Sequence, residues 1–418
     1  MKKIYLTFIA LFCFSIAFTQ TQKCGTMQQW EKAKQNDPQA QERMNQLNLL
    51  TEEWIHNQGG SRGGVITIPV VVHVIYNNQT ENISDDQIFS QIDILNEDFS
   101  LQNQDALTDT HAFYDFTADA GIQFCLAEQD PDGNSTDGIT RTETDSITFV
   151  GEGNEKHTAT GGKDNWDPTK YLNLWVCNLD GSGGTLGYAA FPSELGTEPD
   201  MDGVVIRYEA FGAEGTAGTG GFDVNNLGRT ATHEVGHWLN LLHIFANAVC
   251  GDDEVADTPS AMEEEGNFGC PDFPLNPNSS CGTDDDGEMF MNYMDYVDDE
   301  CMNMFTTGQA DRMNAAVNGA RSGLLSSIGC QTVSIDENAL FAKSIQIFPN
   351  PASNQFNVTS TIGLIKGVDI IDALGRVVAK HSANTTSVII NTSSLNSGLY
   401  TLRVWNDENV GYKNIVLL

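Results

Sequence analysis

From His233 to His243 the chain reads His-Glu-Val-Gly-His-Trp-Leu-Asn-Leu-Leu-His, and no other stretch limits its folding options as sharply. His233 and His237 stand four apart, so on a helix both imidazoles project from one face and can share one ion. Glu234 is displaced around the helix, where its carboxylate reaches a metal-bound water without ligating. A continued helix would carry His243 about 15 Å from His233 along the axis, out of coordination range. The chain must therefore turn between His237 and His243. Asn240 stands where the turn falls, and Asn is the non-glycine residue that best tolerates a left-handed backbone. Only eight histidines occur in the chain. Three of them at ligand spacing with a glutamate beside them weigh against a helix that merely packs histidines on a buried face. His233, His237 and His243 are thus predicted zinc ligands, and Glu234 the general base of a hydrolase.

Composition bounds the setting. With 57 acidic against 21 basic residues, the formal charge of −36 repels nucleic acid and anionic membrane. It suits an extracellular protein that binds calcium or takes cationic peptides, and it also serves plain solubility. Residues 1–20 read as a signal peptide: Lys2 and Lys3 precede an apolar stretch from Ile4 to Phe18, with cleavage expected near Ala17 to Gln20. The stretch is short for a membrane span and no second run of membrane length follows, so no transmembrane segment is expected in the mature chain. Cys13 lacks the small following residue of a lipid-attachment cysteine. Export favours disulfides. Cys250, Cys270, Cys281 and Cys301 allow three pairings among which the sequence does not choose, and the partners of Cys125, Cys177 and Cys330 stay open.

Residues 21–62 form a polar, Gln-rich pre-segment with a helical stretch around Met44 to Ile55. It ends in a Gly/Ser run in which Arg62 offers a protease cut, a plain linker being the alternative. A catalytic domain is expected over 63–330. It opens with a buried strand from Val65 to Tyr76, where His73 is structural. Ser84 caps a helix, Gln87 completes a capping box, and Ile88, Ile92, Leu95 and Phe99 form its apolar stripe. Strands over Ile122 to Leu126, Leu172 to Val176 and Gly203 to Tyr208 lead to the zinc helix, expected from Val224 to Leu241 with Asp223 as cap. This order of elements predicts an α+β or α/β domain. An irregular stretch rich in Asp, Gly, Pro and Cys follows. There Asp252, Asp253, Asp257 and Thr258 offer the oxygen donors calcium prefers, a solvated acidic loop being the alternative. A last helix is expected from Gln309 to Leu325 and a linker over 331–343. Residues 344–418 show short alternating runs between turns, the pattern of a small all-β sandwich.

The run Gly228-Arg229-Thr230-Ala231-Thr232, then Asp257-Thr258-Pro259, Gly269-Cys270-Pro271 and Met291-Asn292-Tyr293-Met294-Asp295-Tyr296, followed by Asp298, Asp299 and Cys301 to Thr306, resembles the pappalysin family of metzincin metallopeptidases. The cytophagalysin-like and ulilysin-like members are nearest in pattern, over roughly residues 65 to 325. The resemblance implies an α+β metzincin-like domain: a twisted mixed sheet and the zinc helix above a cleft, with an irregular lower half. It makes Met294 the Met-turn residue under the zinc and places Tyr296 near the metal to stabilise the oxyanion. Asp299 would sit in the pocket for the side chain after the scissile bond and favour Arg or Lys there, through a bidentate pair in the case of Arg. Disulfides would map to Cys250 with Cys281 and Cys270 with Cys301. Cys24-Gly25-Thr26 resembles the family's zymogen motif, in which a thiolate fills the open zinc position. Residues 344–418, with Ile347-Phe348-Pro349-Asn350-Pro351 and Gly398-Leu399-Tyr400, resemble the sorting domain of type IX secretion, a carbohydrate-binding sandwich being the alternative.

These readings predict a secreted zinc endopeptidase made as a zymogen, with protein or peptide substrates and the secretion machinery as partners, and outside the cell or on its surface after export. Calcium is the expected structural ion. The rival is a non-catalytic zinc-binding adhesin or matrix protein. Glu234 and an open coordination position disfavour it, because structural zinc sites are normally closed by four protein ligands.

Overall fold

The computed structural model describes residues 23–58, 64–179, 184–262, 266–331 and 337–418. The signal stretch and Arg62 lie outside them. The chain divides into two compact units, Met1–Thr332 and Val333–Leu418.

The first unit is organised by β1 (Ile66–Tyr76). Val70, Val71, Val72, Val74 and Ile75 are buried on both faces of this strand, as in a parallel sheet covered on both sides. One edge of β1 pairs in parallel with β2 (Ile122–Leu126) and then β3 (Ile139–Glu143), and the other edge with β4 (Leu172–Cys177). Next comes parallel β6 (Val204–Arg207), and finally β5 (Gly187–Ala189), antiparallel on the outer edge. The sheet is therefore mixed, with its one antiparallel strand on the rim. His73 is fully buried between Thr140 and Asn173, its Nδ1 2.8 Å from Thr140 Oγ1 and its Nε2 3.0 Å from Asn173 Oδ1. It is structural, as the sequence predicts.

Helix α3 (Asp85–Phe99) buries Ile88, Ile92, Leu95 and Phe99 in the same core as Val70 and Val72. Ser84 caps it, accepting from the Gln87 amide at 3.2 Å. The Gln87 side chain does not close a capping box. It turns inward, donates to the Tyr208 and Phe211 carbonyls and accepts from the Thr216 amide, so it holds the loop after β6. The reciprocal box occurs instead at α5 (Thr307–Asn318), between Thr306 and Gln309. That helix stops at Gly319, short of the predicted Leu325, and a separate 3-10 turn covers Ser322–Ser326.

Ahead of β1 lie α1 (Thr26–Asn36), which the sequence reading did not anticipate, and α2 (Ala40–Gln58), which is longer than the stretch expected around Met44 to Ile55. Cys125 pairs with Cys330, a disulfide across 205 residues, and Cys177 is a buried free thiol in β4. Among the described residues no helix is long and apolar enough to cross a membrane.

The second unit begins with α6 (Glu337–Ser344), inside the predicted linker, and Phe341 from this helix joins the unit's core. Strands β7 (Ile345–Phe348), β8 (Gln355–Ser360) and β11 (Ser387–Asn391) make one antiparallel sheet. Strands β9 (Ile365–Ile371), β10 (Val377–Thr385), β12 (Gly398–Trp405) and β13 (Val410–Leu417) make the other. Val358, Val368, Ile370, Ile390, Leu402, Val404 and Ile415 close the core between them. The alternating inward residues thus form an all-β sandwich.

Candidate metal centre and active-site cleft

The helix carrying the motif, α4, spans Arg229–Trp238, shorter at both ends than predicted. Gly228, at φ +69, has the left-handed backbone that stops the helix from starting earlier. Asp223 is not the cap. The Asp299 carboxylate accepts from the Leu227 amide at 2.9 Å and the Arg229 amide at 3.3 Å, so an acid from the lower half serves the helix start. At the other end Asn240 has φ +76. The Leu241 amide returns to the Gly236 carbonyl and the Asn240 amide to that of His237, both at 2.9 Å. This pair of bonds is a Schellman turn with Asn in the position Gly usually takes. It swings His243 back toward His233 and His237.

Arg321 locks the same end from behind. It is fully buried, chelates Asp202 through bonds of 2.8 and 3.0 Å, and donates to the Trp238 carbonyl at 2.7 Å. Trp238 Nε1 also reaches Asp202. At the start of the helix, Arg229 pairs with buried Asp98 at 2.6 Å, and the Thr232 hydroxyl donates to the second Asp98 oxygen. Both ends of the metal helix are therefore held by buried ion pairs.

Within this frame the Nε2 atom of His237 lies 3.1 Å from that of His233 and 3.0 Å from that of His243. Each Nδ1 faces an acceptor: the Tyr293 carbonyl for His233 and the Leu241 carbonyl for His237, both at 2.7 Å, and Asn247 Oδ1 for His243 at 2.9 Å. Those acceptors place the ring protons on Nδ1 and leave three Nε2 lone pairs converging on one point. Burial holds His233 at about 4 and pushes His237 and His243 well below the usual histidine range, so all three rings are neutral at pH 7. Neutral nitrogens facing one another at this distance call for a cation. A tetrahedral zinc with bonds of about 2.0 Å sets its ligands about 3.3 Å apart, and the site fits it.

Cys24 completes the group: its sulfur and the three imidazole nitrogens all lie within 4.8 Å of one another. Burial first, and the Glu234 carboxylate next, push the Cys24 thiol well above its ordinary range, so a thiolate here requires a cation beside it. Residues 23–25 run along the rim strand β5. Cys24 bridges Gly187 in parallel, and the Gly25 amide donates to the Gly187 carbonyl at 2.8 Å. Thr26 then donates to Glu234 Oε2 at 2.7 Å. Burial raises Glu234 to about 7. Gly187 is required at this crossing, since a Cβ there would stand 3.0 Å from the Glu234 side chain and 2.9 Å from the Val205 carbonyl.

Met294 is fully buried beneath the helix, and a Cβ on Gly236 would stand 2.6 Å from its sulfur. Tyr296 packs its ring 4.9 Å from that of His243 and 5.7 Å from that of His233. A small cavity between β5 and the lower half is lined by Cys24, Leu186, Thr230, Tyr296, Asp299 and Met302. Asp299 is buried there, and Lys23 reaches the neighbouring Asp298 at 3.0 Å. Disulfides join Cys250 to Cys281 and Cys270 to Cys301.

Among the described residues Asp252, Asp253 and Asp257 do not form a cluster of three carboxylates. Asp252 is exposed and Asp257 caps α5, bonding Thr306 and the Gly308 amide. Asp253 is buried, bonds Thr258 at 2.7 Å, and keeps its second oxygen without a partner. The sequence reading names Thr26 only within the zymogen motif and misses its bond to Glu234, as it misses Asn247, Arg321 and the helix-capping part of Asp299. All four act through contacts that the motif spacing does not encode.

A sheet over a helix that presents three converging imidazoles, with a glutamate at the cleft and a methionine turn below, defines a metallopeptidase of the metzincin type. Residues 155–318 match the peptidase family described as pregnancy-associated plasma protein-A, and residues 346–417 match the secretion system C-terminal sorting domain. The extracellular metalloprotease of Arthroderma benhamiae is 34% identical over 268 residues, covering 62% of this chain and 80% of that protein. The structure of a mutant of Tannerella forsythia promirolysin aligns with a TM-score of 0.64 at 44% identity, over 72% of this chain and 97% of the other. That of mature mirolysin in complex with a cleaved peptide aligns with a TM-score of 0.59 at 47% identity, over 63% and 97%. The chain belongs to the pappalysin family: it is a secreted metalloendopeptidase with a type IX sorting domain.

Proposed function

We propose that the protein is a zinc endopeptidase held latent by residues 21–62, and that it cleaves proteins before Arg or Lys. The convergence of the three Nε2 atoms beside Glu234 carries this reading. His233, His237 and His243 hold the ion, and Cys24 closes its fourth position in the precursor. When bound, zinc lowers the pKa of water toward 7 and polarises the scissile carbonyl. Glu234, whose pKa is raised by burial, takes the proton from the attacking water and passes it to the leaving amine. Tyr296, whose ring packs beside His233 and His243, stabilises the oxyanion, and Met294 forms an apolar floor. Gly187 to Ala189, now bonded to residues 23–26, offer their backbone to an extended substrate once those residues leave.

Two observations support the finer points. The promirolysin structure matches a larger share of this chain than the mature form does, as a pre-segment seated in the cleft requires. Lys23, the residue beside Cys24, is drawn to Asp298 next to Asp299, in keeping with a pocket that takes a cationic side chain. For calcium, the unpartnered oxygen of Asp253 is the donor the loop offers. The C-terminal sandwich is the address read by the secretion machinery.

Metal analysis and a peptide assay test this together. The purified chain should hold one zinc. After removal of residues 21–62 it should cleave peptides before Arg or Lys, and a chelator should stop it. Glu234→Ala should keep the metal and lose activity by at least about a hundredfold. A chain without tightly held zinc, or normal turnover by the variant, overturns the reading.

A further inference from the structure

His243 differs from the other two histidines in what orients it. His233 and His237 donate from Nδ1 to main-chain carbonyls, which no substitution can remove. His243 lies beyond the Asn240 turn, off the helix, and its Nδ1 faces a side chain, Asn247 Oδ1, at 2.9 Å. The segment between them is tightly bent. The Ala246 amide returns to the His243 carbonyl at 2.8 Å, and Ala246 and Asn247 are both left-handed, at φ +47 and +54. Phe245 stacks on the His243 ring with centroids 4.6 Å apart, and Cys250, three residues past Asn247, is tied to Cys281.

The amide has two faces, and only one is compatible with a ligand. With its oxygen toward His243, the ring proton stays on Nδ1 and Nε2 is bare. With its NH2 toward the ring, the proton moves to Nε2 and the metal position is blocked. We propose that Asn247 is a positioning residue that fixes the tautomer and angle of His243 and so governs how long the ion is retained. This rests on the zinc reading above.

The test uses the zinc-loaded full chain and the rate of zinc release to a chromogenic chelator. Asn247→Gly removes the amide without strain, because glycine is at ease at φ +54. It should release zinc about tenfold to a hundredfold faster, the usual effect of losing such a partner. Asn247→Asp keeps an acceptor of the same shape and should restore release to the wild-type rate or slower. Unfolding of the zinc-free chains should be alike in all three. If Asn247→Gly releases zinc at the wild-type rate, water replaces the amide and the proposal falls. It also falls if Asn247→Asp releases as fast as Asn247→Gly, since the side chain then acts through packing. Absence of zinc from every variant removes the zinc reading itself and this proposal with it.

Discussion

The Thr26 hydroxyl sits between two partners, donating to Glu234 Oε2 at 2.7 Å and accepting from the Ala189 amide at 2.9 Å. One hydroxyl thus ties up both the base of the proposed reaction and a rim amide that a substrate needs. On the proposed latency, the precursor would be blocked at the base as well as at the metal. Cys24→Ala should let the unprocessed chain cleave peptides, though more slowly than the processed enzyme, and adding Thr26→Val should raise that rate further. The check is peptide hydrolysis with the intact chain followed on a gel. Full latency in the double variant removes both locks.

Asp299 should set the preference for a basic residue after the scissile bond. Asp299→Asn keeps an acceptor for the Leu227 and Arg229 amides and removes the charge. Cleavage before Arg should then fall by about tenfold to a hundredfold in kcat/KM, the loss of one charged hydrogen bond, while cleavage before Leu changes little. Equal losses on both peptides would mean that Asp299 serves the helix alone.

Asn240 tests the turn. A β-branched residue at φ +76 costs about 1–2 kcal/mol and rotates His243 away from its partners. Asn240→Val should therefore melt lower and bind zinc more weakly, whereas Asn240→Gly keeps the metal. Both are read by calorimetry and chelator competition.

Removing Asp202 leaves Arg321 buried without a counter-charge at the end of α4. Asp202→Ala should destabilise the catalytic unit by about 3–5 kcal/mol, the cost of an uncompensated buried ion. Denaturant unfolding measures it, and a loss under about 1 kcal/mol would show the pair to be dispensable.

His73 predicts an acid limit. Burial lowers it from 6.5 to about 4, so below pH 6.5 the unfolded chain takes up a proton that the folded chain refuses. Stability is full above pH 6.5 and declines as pH falls toward 4, by on the order of 3 kcal/mol from this residue. In His73→Asn the stability should fall less steeply across that window, whatever its absolute value.

What was legible in the sequence was local. The spacing of the three histidines, the left-handed tolerance of Asn240, the valine-rich β1 and the alternation of the C-terminal strands each lie within a dozen residues, and each forms as the pattern dictates. The resemblance supplied Met294, Tyr296, Asp299 and two disulfides, all of which the structure brings to the cleft or its lower half. What escaped depends on distant segments meeting. Gly228 as the helix start is visible only once Asp299 is seen to cap it from 70 residues away. Gln87 fits a capping box by spacing, yet is buried by a loop more than 120 residues on. Asp252, Asp253 and Asp257 are neighbours in sequence, but the loop sends them to separate partners.

The bond between Cys125 and Cys330 also bears on how this protein tolerates a pull. Cys330 stands just ahead of Val333, where the second unit begins, so any pull on that unit would pass covalently into the edge of the central sheet at β2. The short 3-10 turn at Ser322–Ser326 and α5 behind it are spared the strain. Trimming anywhere beyond Cys330 leaves a stump that is riveted in place and cannot fray back toward the catalytic helix.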